Sequence, residues 1–203
     1  MIVVMSRETG KCAGAQTIFS TILRESAART LDQAYFGSQA GNDEAVAGLL
    51  NGVTALTPQP GSGVEGMRAD LAELAAAVSM NGSGQVLYIA SPDRAAKAPI
   101  VDPDSRAVIW PSKAVPADRL IAIDPVSIVH GFGPNLDILV STDAIVHMDT
   151  EPGEIVSGTG PTLAAPVRSL WQSDAIGLRA LVDIAFTKRR ADCVAYVDGL
   201  NAW

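Results

Sequence analysis

A chain of 203 residues has room for one ordinary domain or two small, tightly joined ones. It can bury about 70% of the surface it exposes when unfolded, so it needs no disulfide or metal to hold it together. Hydrophobic residues at 48% against 18% charged exclude disorder as the dominant state. Fifteen Lys and Arg against 22 Asp and Glu leave a net charge of −7, the wrong sign for a protein that grips phosphates by releasing their counterions, so tight nucleic-acid binding is not expected.

The apolar start at 1–5 is too short for a secretory segment, and no run reaches the roughly eighteen apolar residues of a spanning helix, so no membrane partner is expected. Over 15–36 the residues Ile18, Phe19, Ile22, Leu23, Ala27, Leu31 and Tyr35 recur at intervals of three and four opposite Arg24, Glu25, Arg29 and Asp32, which predicts a long amphipathic helix. At 1.5 Å per residue it is about 30 Å long, the span of a small domain. A connector follows at 41–60, with an Asn51-Gly52 reversal and Pro58 and Pro60, where a seam between subdomains is expected. Ser62 and Glu65 stand in capping-box spacing with a single apolar stripe of Val64, Met67, Leu71, Leu74, Ala75 and Val78, predicting a second helix ending at Asn81-Gly82. The run 86–90 predicts a strand, and Ser91-Pro92-Asp93 a short helix closed by Pro99.

From 100 to 148 the pattern changes to short runs rich in β-formers at 107–110, 120–123, 126–129, 136–140 and 144–148, each bounded by Pro, Gly or Asp. A linker is expected at 151–166. Strands follow at 167–171, 175–182 and 193–197 around a short basic helix near 186–190. The sum is an α+β chain. The late strands are expected to pack back onto the first helix, placing 1–56 and 141–203 in one subdomain and 57–140 in another.

Gly61, Gly63 and Gly66 spell the glycine pattern of a pyrophosphate-binding turn. The Pro-rich 57–60 cannot be the strand that must precede it, and the capping box explains the local chemistry without a ligand. His130 and His147 have no metal-ligand spacing, and Cys12 and Cys193 lack both CxxC and Cys/His spacing, so no metal is expected and a reducing compartment fits. No nucleophile elbow is present. Asp102 with Asp104 and Asp118 with Asp124 read as turn punctuation. No catalytic residue and no cofactor are expected.

The most informative stretch is Pro166-Val167-Arg168-Ser169-Leu170-Trp171-Gln172-Ser173-Asp174-Ala175-Ile176-Gly177-Leu178-Arg179, then Arg189-Arg190 and Val194-Ala195-Tyr196-Val197-Asp198-Gly199. It resembles the closing segment of the major capsid proteins of tailed bacteriophages. Ser6-Arg7-Glu8 ahead of the long helix and Gly48-Leu49-Leu50-Asn51-Gly52-Val53 after it agree, so the resemblance runs from about Val3 to Trp203. It implies the Hong Kong phage-type shell fold, with 15–36 as the spine helix of a peripheral subdomain, 57–140 mostly axial, and 167–197 returning over the spine.

Such a subunit does no chemistry. It presents edges to copies of itself, so its partners are its capsomer neighbours, with portal, scaffold and maturation protease in a complete phage. Its place is the virion capsid, and the bacterial host cytoplasm before assembly. Arg168, Arg179, Arg189 and Arg190 are candidates for pairing with acidic edges of neighbours. The resemblance starts without the N-terminal arm and extended loop that family members carry, so this chain alone is expected to give monomers or small rings. Alternatives are a small enzyme holding a phosphate-bearing ligand at the Gly61–Gly66 loop and a nanocompartment shell protein.

Overall fold

A computed structural model describes residues 2–12, 14–42, 45–148, 155–157, 162–163, 166–200 and 203. In chain order the elements are β1 (Ile2–Ser6), α1 (Arg7–Lys11), α2 (Ala15–Tyr35), α3 (Gly63–Ser79), β2 (Leu87–Ala90), α4 (Pro92–Val101), β3 (Ile109–Pro111), β4 (Leu120–Ile123), a 3-10 turn at Pro125–Ser127, β5 (Ile128–Ser141), β6 (Ile145–His147), β7 (Val156–Ser157), β8 (Thr162–Leu163), β9 (Val167–Ser169), β10 (Ala175–Lys188) and β11 (Val194–Val197). Their contacts form two units, Met1–Ala27 with Gly133–Asp183, and Ala28–Phe132 with Ile184–Trp203. The helix α2 and the strands β5 and β10 each contribute residues to both.

The second unit is built on a four-stranded sheet in the order β11-β4-β2-β3. All four residues of β4, Leu-Ile-Ala-Ile, are buried, as a continuous apolar run must be when both faces of its sheet are covered. It is antiparallel to β11 (Val194↔Ile123) and to β2 (Leu87↔Ile123), while β3 runs parallel to β2. Strand alternation then sorts two cores. Tyr88, Ala90, Leu120, Ala122, Ala195 and Val197 meet Met67, Leu71, Leu74 and Val78 of α3. Ile89, Ile121, Ile123 and Val194 point to the other face, where Leu49, Leu50, Ile128 and Phe186 cover them.

Polar groups tie this unit's loops down. Asp124 is 1% exposed yet accepts from Ser83 N and Oγ, Val126 N, Ser127 Oγ and Arg190. Burial pushes its pKa up, but these bonds overcome burial and hold it well below the usual carboxylate range. Arg94 donates to the carbonyls of Ala117, Leu200 and Trp203 and stacks on the Trp203 ring at 4.6 Å. The Trp203 indole N–H in turn donates to Asp70.

In the first unit β1 pairs antiparallel with β10, from Ile2↔Arg179 to Ser6↔Ala175, in a sheet of order β1-β10-β5. Ser6 ends β1 and caps α1 by accepting from Thr9 N. Strands β6 and β9 pair with Val146 opposite Arg168. The turn joining β9 to β10 is anchored by the fully buried Leu170, whose carbonyl accepts from Ala175 N.

Several local expectations are corrected. Ser62 occupies the N-cap of α3 but makes no side-chain cap bond, so the capping box does not form. Pro99 lies inside α4 rather than closing it, and Asp102 N still bonds Ala98 O beyond it. The strands expected at 126–129 and 136–140 belong to one strand, β5, preceded by the 3-10 turn. The basic helix near 186–190 does not form. Strand β10 continues to Lys188, with Phe186 buried between exposed Ala185 and Thr187, the two-residue alternation of a strand. The linker expected at 151–166 contains the short β7–β8 ladder. Strand β11 pairs with β4, and its Val194 shares a core with Phe186, against which Tyr35 at the end of α2 and the following Phe36 pack; the Tyr35 and Phe186 ring centroids are 4.7 Å apart.

Candidate assembly surface

The four arginines singled out in the sequence separate into two kinds. Arg190 is turned inward, its guanidinium 3.0 Å from Asp124 and 3.3 Å from Asp192, with Nε donating to Ser127, so its first task is to join the segment after β10 to the 3-10 turn. Arg168, Arg179 and Arg189 are exposed and form no ion pair with the described residues. Arg168 lies on β9, Arg179 on β10 and Arg189 just past its end. Exposed guanidiniums of this kind suit carboxylates brought by another chain, although each such surface pair contributes little, about 0–1 kcal/mol.

Apolar surface is more abundant than cationic surface. On β5, Ile138, Leu139 and Val140 are 56%, 54% and 64% exposed, and on α2 Ile18 and Ile22 are 60% and 45% exposed at a spacing of four. Within the sheet β1-β10-β5 the two outer strands have, among the described residues, one unpaired edge each, and an open edge is a template for another strand. At the β9–β10 turn Trp171 is 76% exposed.

The second unit also carries an open apolar cleft of about 270 Å³. Tyr35, Phe36, Ile89, Ile123 and Ile128 are among its apolar walls, and Trp110, His130, Asp32 and Ser112 also line it. Ser112 Oγ donates to Asp32 at 2.6 Å, and Tyr35 stacks edge-on against Phe36 at 5.2 Å. Burial, then the neighbouring Cys193, raises the Tyr35 pKa, so its hydroxyl stays neutral. No pattern in the sequence announced this cleft, because its walls come from four segments that only the sheet brings together.

The motifs tempting for chemistry lie apart. Gly61 and Gly63 have φ of +140° and +60° and do precede a helix, but the segment before them holds only the isolated bridge of Leu56 with Val197. Beside this segment Asp70 accepts from Gln59 N and Gln59 also bonds Glu73, and Glu65 lies within the motif itself; acidic neighbours oppose a phosphate. Asp102 is taken by a bidentate Arg68 at 2.6 and 2.8 Å. Among the described residues no three His, Cys, Asp or Glu side chains are placed to hold a metal, and no helix is long and apolar enough to cross a membrane.

No protein-family model matches the chain. One stretch of 67 residues, 32% of the chain, is 40% identical to the capsid polyprotein of Pseudomonas phage PAJU2, and that stretch spans 9% of the polyprotein. The whole fold is similar to solved structures. A structure from Mycobacterium phage Bobi matches with a TM-score of 0.64 at 16% identity, over 98% of this chain and 70% of that one. A structure from Microbacterium phage Oxtober96 matches with 0.62 at 14%, over 98% and 70%. The satellite phage P4 procapsid matches with 0.54 at 9%, over 99% and 69%. The chain therefore has the mixed helix-and-sheet fold of phage capsid proteins.

Proposed function

We propose that this chain is a structural shell subunit, a major capsid protein of a tailed phage or prophage, whose copies join through their edges into the five- and sixfold capsomers of an icosahedral head. The observation that carries the reading is the likeness of nearly the whole chain to phage capsid structures, and the stretch shared with a capsid polyprotein supports it. The physical case agrees. Open sheet edges, an exposed apolar strand and three uncommitted arginines are surfaces for copies of the same chain rather than for a small substrate. Several weak contacts of this kind add up strongly once each subunit has several neighbours. An acidic wall suits a DNA container, since tight phosphate binding would hinder packaging and release.

The shell would be of the Hong Kong type, with α2 as its spine. The expected division into 1–56 with 141–203 and 57–140 is adjusted in this reading: 28–56 and 184–203, β11 among them, go to the axial side because they pack with its sheet. Arg168, Arg179 and Arg189 would face acidic edges of neighbours, while Arg190 serves the fold. Portal, scaffold and maturation protease would be the further partners. The protein would reside in the virion capsid and, before assembly, in the host cytoplasm. An enzymatic role at the Gly61–Gly66 loop is set aside on the local chemistry given above.

The test is sedimentation and negative-stain imaging across concentration. Small rings of five or six subunits are expected of this chain. A chain that stays monomeric up to about 1 mM, where contacts worth only about 4 kcal/mol would register, would overturn the reading.

A further inference from the structure

Two features of the molecule are unexplained by its own packing. Trp171 is 76% exposed; its carbonyl accepts from Asp174 N, while its indole stands out from the turn. Its turn is nonetheless rigid: Leu170 is fully buried, Ser173 N and Oγ both bond Ser169 O, and Arg7 binds Asp174 through backbone and side chain. A knob held this firmly loses little conformational freedom when it docks. The cleft beside Tyr35 is the complement. At about 270 Å³ it falls below the roughly 300–1,000 Å³ of ligand and cofactor pockets and is on the scale of one large side chain.

Its chemistry matches as well. Aliphatic and aromatic walls suit the indole's body, and an indole also needs an acceptor for its N–H when buried. Asp32 lines the cleft and has acceptor capacity beyond the single bond from Ser112. The chain already satisfies an indole in this way, Trp203 donating to Asp70 at 2.9 Å.

We propose that Trp171 of one copy seats in the Tyr35–Trp110 cleft of a second copy, a knob-and-hole contact that sets the register between neighbouring subunits. The proposal rests on the self-assembly reading and deepens it by naming the contact. Because knob and hole are different surfaces, the contact repeats head to tail from copy to copy, and it closes into a ring where the rotation between neighbours closes. One indole buries about 150–250 Å², far less than the ~1,200–2,000 Å² of a stable interface, so the contact positions subunits that other edges help to hold.

The test is a cross-link between copies in a Cys12→Ser background. Gln172→Cys, next to the knob, is mixed with His130→Cys in the cleft lining, and joined by a short bis-maleimide. A mixture with Met80→Cys, exposed elsewhere, is the control. Roughly tenfold more covalent dimer than control is expected, with loss of the excess on adding Trp171→Ala, the size of effect a central Trp contact has on binding. Thermal melts check that the variants fold, and Trp171→Phe should retain part of the excess. Equal yields in both mixtures, or an excess indifferent to Trp171→Ala, overturn the contact even if the chain still forms particles. Cross-linking as expected without any ring or particle would instead leave the contact standing and count against the shell.

Discussion

Asp124 shows how much one side chain can organise. The sequence marks it as a turn aspartate, and one of its bonds, from Val126 N, is that local kind. Ser127 Oγ is a second local donor, but the rest come from Ser83, 41 residues away, and Arg190, 66 residues away, which no local pattern announces. Replacing it by Ala would leave Arg190 facing a buried gap. Asp124→Ala should therefore cost about 3 kcal/mol, the lower end for breaking a buried pair, because Arg190 keeps Asp192 and some water. Denaturant unfolding measures this as a lower midpoint at unchanged slope. The pH dependence has a definite sign. The native pKa is depressed, so the stability it confers is present above the ordinary carboxylate value near 4 and declines as pH falls below it toward the native value. Asp124→Asn should flatten that acid limb, and an unchanged limb would assign acid sensitivity to other carboxylates.

Elements were predictable where their own periodicity decides them and mispredicted where a neighbour decides. The spacing of Met67, Leu71, Leu74 and Val78 predicts α3 because that stripe is the surface it buries, and α2 forms on the same spacing although Ile18 and Ile22 of its stripe are exposed. The run at 120–123 is β4 to the residue. Strands β5 and β10 are another matter. Each is 14 residues long and passes through residues that locally signal an end: Gly131, Gly133 and Pro134 in β5, the approach to the basic run in β10. Ladder partners carry them on, and a partner strand is not a local property. Packing predicts the cost of damage. Leu74→Ala, at a position with no exposure, should lose about 2–5 kcal/mol, whereas Val64→Ala, 36% exposed on the same helix, should stay within about 0.5 kcal/mol. Equal effects would show that α3 does not seal the sheet.

For the molecule as a whole, charge sets the conditions of association. Copies with a net charge of −7 repel one another at low salt, and raising ionic strength shortens that repulsion to about 10 Å at 0.1 M and less beyond it. Apolar contacts such as Trp171 in its cleft are not weakened by salt. Association should therefore strengthen between about 0.02 and 0.5 M NaCl, read by light scattering at fixed protein concentration. A steep weakening would instead put Arg168, Arg179 and Arg189 in control, paired with acidic edges, and Arg168→Ala would then reduce the salt dependence.

Composition, the stripes of α2 and α3, the buried run of β4 and the resemblance of the 166–199 stretch to capsid proteins were all readable along the chain, because each depends on residue type at fixed spacing. The union of β11 with β4, the inward turn of Arg190 and the cleft facing outward beside Tyr35 were not. They arise when segments scores of residues apart are brought within a few ångströms, and linear order carries no record of which open ladder edge or which buried carboxylate will be waiting there.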